Sequence, residues 1–189
     1  YGSVSASSVI VPKNNTTYST SDKTFKLSDG RTVTASTKSV TGYTSNFTGW
    51  SSTTGTITAA TSITAKFSGT LITYKIGYTL NGGTVSGNPT SYNITTNTIT
   101  LKNPTRTGYT FAGWTGSNGT TKQTTVTIPK GSTGNKTYTA NWTANTYTIN
   151  LNNQSATTAG TTAIYEKYNV GIYKESACTN KMTTTANAI

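Results

Sequence analysis

Gly108-Tyr109-Thr110-Phe111-Ala112-Gly113-Trp114 is the stretch on which the fold turns, because the chain has already used it once. Gly42-Tyr43-Thr44-Ser45-Asn46-Phe47-Thr48-Gly49-Trp50 repeats its Gly-Tyr, Phe and Gly-Trp, with two more residues between Tyr and Phe. Working outward, each copy is followed by a Thr-rich stretch and then a closing strand. Those strands are Ser62-Ile63-Thr64-Ala65-Lys66-Phe67 and Thr137-Tyr138-Thr139-Ala140-Asn141-Trp142. An opening strand recurs as well: Tyr74-Lys75-Ile76-Gly77-Tyr78-Thr79-Leu80 matches Tyr147-Thr148-Ile149-Asn150-Leu151. Spacings run from 64 residues (Trp50 to Trp114) to 75 (Phe67 to Trp142). Self-similarity at one period marks tandem modules, here of about 70 residues each. The best copy spans residues 74–142, and the expected domains are 1–70 (divergent), 71–143 (complete) and 144–189 (partial).

Alternation supports a β reading of each module. Tyr74, Ile76, Tyr78 and Leu80 fall on one face of a strand, and Lys75, Gly77 and Thr79 on the other. Asn81-Gly82-Gly83 then offers the positive-φ residues of a tight turn. Phe25 and Leu27 alternate with Lys26, Ser28-Asp29-Gly30 reverses the chain, and Thr32-Val33-Thr34 returns, which predicts a hairpin. Residues 98–101 and 125–128 read as further strands, with Pro104 and Pro129 beyond them. Ile164, Tyr168 and Ile172 have helical spacing, but Asn169 and Gly171 interrupt it, so two short strands are expected there.

The repeated motif comprises Tyr43, Phe47, Gly49 and Trp50 in the first copy. In the second it comprises Gly108, Tyr109, Phe111, Gly113 and Trp114, with Trp142 closing the module. On a regular strand Phe111 and Trp114, three apart, would face opposite ways. A bulge at Gly113 would turn both rings toward one core. Alternatively, Trp114 is half exposed and covers a module junction, or it forms a ligand platform. The same three readings apply to Phe47, Gly49 and Trp50.

Composition narrows the class. The 189 residues are 32% hydrophobic, with 12 Tyr, 4 Phe and 3 Trp supplying most of the large apolar area. Thr and Tyr suit a pleated, half-buried surface, and good helix formers are scarce. Fifteen Lys and Arg against four acids give +11. These bases are scattered singly, which fits a solvated surface guarded against edge pairing, or attraction to an anionic polymer. No basic helix or aromatic RNA-binding strand points to nucleic acid. No apolar run is long enough for a membrane helix. The chain shows no secretory signal and no initial Met, and reads as an internal fragment. Its one cysteine, Cys178, allows no internal disulfide, and with no His beside it has no activating base. The acids Asp22, Asp29, Glu166 and Glu175 include one pair, Glu166 and Glu175, that could meet across a hairpin; solvation is the better reading. No catalytic residue, metal set or cofactor site is expected.

The order Asn103-Pro104-Thr105-Arg106-Thr107-Gly108-Tyr109-Thr110-Phe111-Ala112-Gly113-Trp114, followed by Tyr138-Thr139-Ala140-Asn141-Trp142, strongly resembles the Listeria–Bacteroides repeat, the internalin-B-type B-repeat of bacterial surface proteins. Ile164-Tyr165-Glu166-Lys167-Tyr168-Asn169 is similar to the middle of that repeat. The resemblance covers the second module fully, the third in its first half and the first loosely. It implies tandem β-grasp-like modules, mainly β with little or no helix, in secreted or cell-wall-linked proteins. It further implies a non-catalytic stalk or spacer role in adhesion. The alternative expectation is a module binding glycan or an anionic surface. Expected partners are neighbouring repeats, a host or cell-wall glycan, or another surface protein.

Overall fold

The structure, a computed structural model, describes residues 2–4, 16–152 and 163–183. Strands dominate them, and they contain no helix. The mainly β expectation therefore holds, while the finer β-grasp arrangement is not established by these strands. Two compact units divide the chain. One comprises residues 1–74, 92–96 and 130–134; the other comprises 75–91, 97–129 and 135–189.

In the first unit, β1 (Gly2–Val4), β2 (Thr16–Ser21), β3 (Thr24–Leu27) and β4 (Thr32–Thr37) precede the first motif strand, β5 (Tyr43–Trp50). β6 (Thr54–Ile57) and β7 (Ala65–Leu71) follow. Five of them form a sheet of order β1-β4-β3-β2-β6, and β5 pairs with β7. The β3–β4 hairpin turns at Ser28-Asp29-Gly30 as predicted, with the Gly30 N–H donating to the Leu27 carbonyl at 3.0 Å. Alternation along these strands sends Tyr18, Phe25, Leu27 and Val33 into one core, with Trp50, Ile57 and Ile63 packed against it. Tyr18 stacks on Phe25 at 5.3 Å between ring centroids. The closing strand begins at Ala65 rather than Ser62. There the Ser51 hydroxyl takes the Thr64 N–H at 2.8 Å, so a side chain satisfies a donor that a ladder would otherwise need.

The motif copy with the more regular surroundings lies in the second unit. Its strands are β8 (Tyr74–Thr79), β9 (Ser91–Tyr92), β10 (Ile99–Thr100), β11 (Tyr109–Gly116), β12 (Gly119–Gln123), β13 (Thr127–Ile128) and β14 (Lys136–Ala144), of which only Tyr74 and Tyr92 fall in the first unit. The main sheet runs β12-β11-β14-β8-β9, and β10 pairs with β13. β11 and β14 are antiparallel, whereas β14 and β8 are parallel, with Tyr138 beside Tyr78. Asn81 and Gly82 both have positive φ (49° and 82°) and the Gly83 N–H reaches the Leu80 carbonyl at 3.0 Å, a type I′ turn. A three-stranded sheet follows, built from β15 (Thr146–Asn150), β16 (Ala163–Lys167) and β17 (Gly171–Tyr173). The ambiguous segment is thus two strands, turned at Asn169 with φ 53°.

Candidate functional site

The motif strand starts from a turn. The Tyr109 N–H donates to the Arg106 carbonyl at 3.1 Å, and Gly108 carries φ 76° at the third turn position. In the first copy the Tyr43 N–H donates to the Val40 carbonyl at 3.0 Å, and Gly42 has the same φ of 76°. A type II turn requires positive φ there, which is why both copies begin with glycine. The strand is then bulged. Phe111 faces Trp142 and Gly113 faces Asn141, leaving Ala112 as the extra residue. Phe47 faces Phe67 and Gly49 faces Lys66, leaving Thr48 extra. Gly113 and Gly49 have φ of 125° and 128°. Each bulge brings the two rings of its copy together, Phe111 with Trp114 at 5.4 Å and Phe47 with Trp50 at 5.8 Å.

The two tryptophans differ in burial. Trp114 is fully buried at 0% exposure, ringed by Phe111, Tyr78 and Tyr138. It is a core residue, so the ligand-platform reading falls for it. Its indole Nε1 has no hydrogen-bond partner, which leaves some of the cost of burying that donor uncompensated. Trp50 is half-buried, and its Nε1 donates to the Asp22 carbonyl at 3.2 Å. Trp142 packs against Gly83 and donates from Nε1 to the Leu80 carbonyl at 2.9 Å. Asn141 holds the bulge from the side chain, donating to the Gly113 carbonyl and to Thr115 Oγ1, each at 3.0 Å.

Two features of the motif face outward, and sequence reasoning missed both. The first is a junction around Asn145. Its N–H donates to the Gly108 carbonyl at 2.9 Å, and its Oδ1 accepts from Thr110 Oγ1 at 2.7 Å. Its own carbonyl accepts the Tyr168 N–H at 2.9 Å. The Tyr168 ring lies on Gly108, where a Cβ would collide with it, and meets Tyr109 edge-on at 5.5 Å. One residue thus joins the start of the motif strand to the three-stranded sheet. The first unit repeats the design: the Ile72 N–H donates to the Gly42 carbonyl at 2.9 Å, and Ile94 lies on Gly42. Aligning the opening strands at Tyr74 and Tyr147 pairs Ile72 with Asn145, so a signal for this existed in the repeat spacing.

The second feature is an open groove of about 520 Å³ whose walls include Gly82, Thr84, Arg106, Thr107, Tyr109 and Phe111. The Arg106 guanidinium lies over the Tyr109 ring at 3.7 Å from its centroid, within cation–π range. Residues 74–142 contain no Asp or Glu, so no carboxylate of the module neutralises that arginine.

Glu166 stands opposite Ile172 on β16 and β17, while Glu175 Oε1 accepts from the Asn180 N–H at 2.6 Å and the Thr179 N–H at 2.8 Å. Asp29 pairs with Arg31 at 2.6 Å in its turn. Among the described residues there is no cluster of three His, Cys, Asp or Glu able to hold a metal ion. No helix among them is long and apolar enough to cross a membrane.

A bulged aromatic strand, a closing strand and a repeated junction define a tandem-repeat β module. Residues 74–141 match the model of the Listeria-Bacteroides repeat domain. Repeats of this kind are found in bacterial surface proteins. No curated protein and no solved structure matches the chain.

Proposed function

We propose that the chain is a non-catalytic spacer, part of the stalk of a secreted or cell-wall-associated bacterial protein. The Asn145 junction carries this reading. It fixes the start of the motif strand and the following sheet to one residue by three hydrogen bonds to neighbours. Tandem modules gain stiffness and stability from such nearest-neighbour contacts. In calorimetry of the full chain, the three-stranded sheet should melt together with the repeat. Asn145→Gly removes the Oδ1 contact and loosens the linker. It should split off an earlier, smaller transition. A calorimetric profile unchanged by Asn145→Gly would sink the spacer reading.

One observation favours a second reading, a module that holds an anionic glycan. A guanidinium stacked on an aromatic ring, beside threonine hydroxyls, suits a sugar ring carrying carboxylate or sulfate. Retention on heparin should then fall more for Arg106→Gln than for Lys122→Gln, although both remove one positive charge. Equal losses would reduce the effect to diffuse attraction by the net +11.

A further inference from the structure

The guanidinium of Arg106 is held from two sides. Thr84 and Thr105 exchange main-chain hydrogen bonds of 2.9 Å, which brings the Asn81-Gly82-Gly83 turn alongside it. Gly82 has no side chain, and a Cβ there would lie 3.3 Å from Arg106 Nε and 3.4 Å from Cζ. The guanidinium fills that space and lies over the Tyr109 ring. Among the described residues no acceptor takes its N–H groups, so they stay available to an anion. Tyr109, a wall of the groove, is shared with the junction. Tyr168 packs against it at 5.5 Å with the ring planes 84° apart. Tyr168 is itself fixed from the three-stranded sheet, by the bond from its N–H to the Asn145 carbonyl and by the Tyr147 ring at 6.5 Å. Tyr109 and Tyr168 are both half-buried, and a half-buried ring has few walls to hold its rotamer. The place of each therefore depends on the other.

We infer that the Arg106 groove and the Asn145 junction are coupled through Tyr109 and Tyr168, so that an anionic glycan in the groove tightens the docking of the three-stranded sheet. The inference rests on the anionic-glycan reading and goes beyond it: Tyr168, which lies outside the groove, is a positioning residue for the ligand. Docked, Tyr168 holds the Tyr109 ring where the guanidinium can stack on it, and Arg106 then presents its donors in one fixed fork. Undocked, Tyr109 turns more freely, the stack is lost for part of the time, and the glycan meets a mobile cation. The glycan thus binds the docked state better, and a ligand shifts an equilibrium toward the state it prefers. Such coupling is reciprocal: whatever affinity docking adds to the glycan, the glycan adds to docking. A spacer built this way would stiffen where it meets a sugar carrying carboxylate or sulfate.

The test titrates the full chain with a heparin oligosaccharide and reads the coupling from both ends. Tyr168→Ala should weaken binding about fivefold or more, and Tyr168→Phe, which keeps the ring, should restore it. In the parent chain, saturating heparin should slow amide exchange at Tyr168, whose N–H bond to Asn145 reports docking. In Arg106→Gln the same heparin should leave that exchange unchanged. The exchange measurement uses the parent fold, so it decides the matter even where Tyr168→Ala fails to fold. Heparin bound by the parent and weakened by Arg106→Gln, but with Tyr168 exchange unaltered, would overturn the coupling and leave the glycan reading standing. Equal affinity of Tyr168→Ala and parent would do the same. No binding of heparin by the parent chain would overturn both.

Discussion

Glycine does two separate jobs in the motif, and the two copies separate them. Gly113 and Gly49 share almost the same positive φ, 125° and 128°. A Cβ at Gly49 would meet nothing within 4 Å, whereas one at Gly113 would lie 2.7 Å from the Gln123 backbone nitrogen. Gly49→Ala therefore pays only conformational strain, about 1–3 kcal/mol for a non-glycine residue held in such a region. Gly113→Ala adds a clash with backbone that cannot rotate away, since β12 is hydrogen-bonded to β11 there. Its destabilisation should exceed that of Gly49→Ala by at least about 1 kcal/mol. Chemical denaturation of the two variants, each followed through the transition of its own unit, checks the order. Equal costs would mean that β12 moves aside freely. The sequence pointed to a bulge at both glycines because Phe and Trp three apart need one to share a side. It contained nothing to show which bulge would be crowded.

At the scale of elements, legibility followed locality. Period-two alternation identified β8 and the β3–β4 hairpin. The Asn169 and Gly171 interruption separated β16 from β17. Those signals lie within a few residues. Pairing does not: alternation fixes which face a side chain takes and leaves the neighbouring strand open. Nothing in Tyr74 to Thr79 says that β14, some sixty residues on, lies alongside it in parallel. The junction was hidden for a related reason. Asn145 reads as a linker residue of no pattern, and its role comes from the backbone groups of Gly108 and Tyr168. Arg106 likewise looked like one of many scattered bases, and only the turn at Gly108 folds it over Tyr109. The burial of Trp114 was open between core, junction and platform; its contacts with Tyr78 and Tyr138, on strands far apart in sequence, decided it.

For the whole molecule, charge composition sets the shape of stability against pH. The chain has no His and four acids. Arg31's hydrogen bond holds the Asp29 carboxyl below its ordinary value, and the Asn180 N–H, then the Thr179 hydroxyl, do the same for Glu175. A depressed carboxyl stabilises the fold above its unfolded pKa, and that contribution fades as pH falls through the folded one. Both carboxyls reach solvent, so screening keeps this acid limb shallow. The alkaline limb is different. Burial, with Tyr138 nearby, pushes the Tyr78 hydroxyl up to about 12 from an ordinary 10.0, and burial raises Tyr92 as well. The Tyr78 hydroxyl also donates to the Pro89 carbonyl at 2.9 Å. Between pH 10 and 12 the unfolded chain has released a proton that the folded chain still holds, so stability falls as pH rises. Melting temperature should therefore change little from pH 5 to 9 and drop steeply above 10. Tyr78→Phe should lower stability at neutral pH by about 1 kcal/mol for the lost hydrogen bond, yet flatten the alkaline drop. A melting profile of that variant as steep above pH 10 as the parent's would show that Tyr78 is not the group responsible.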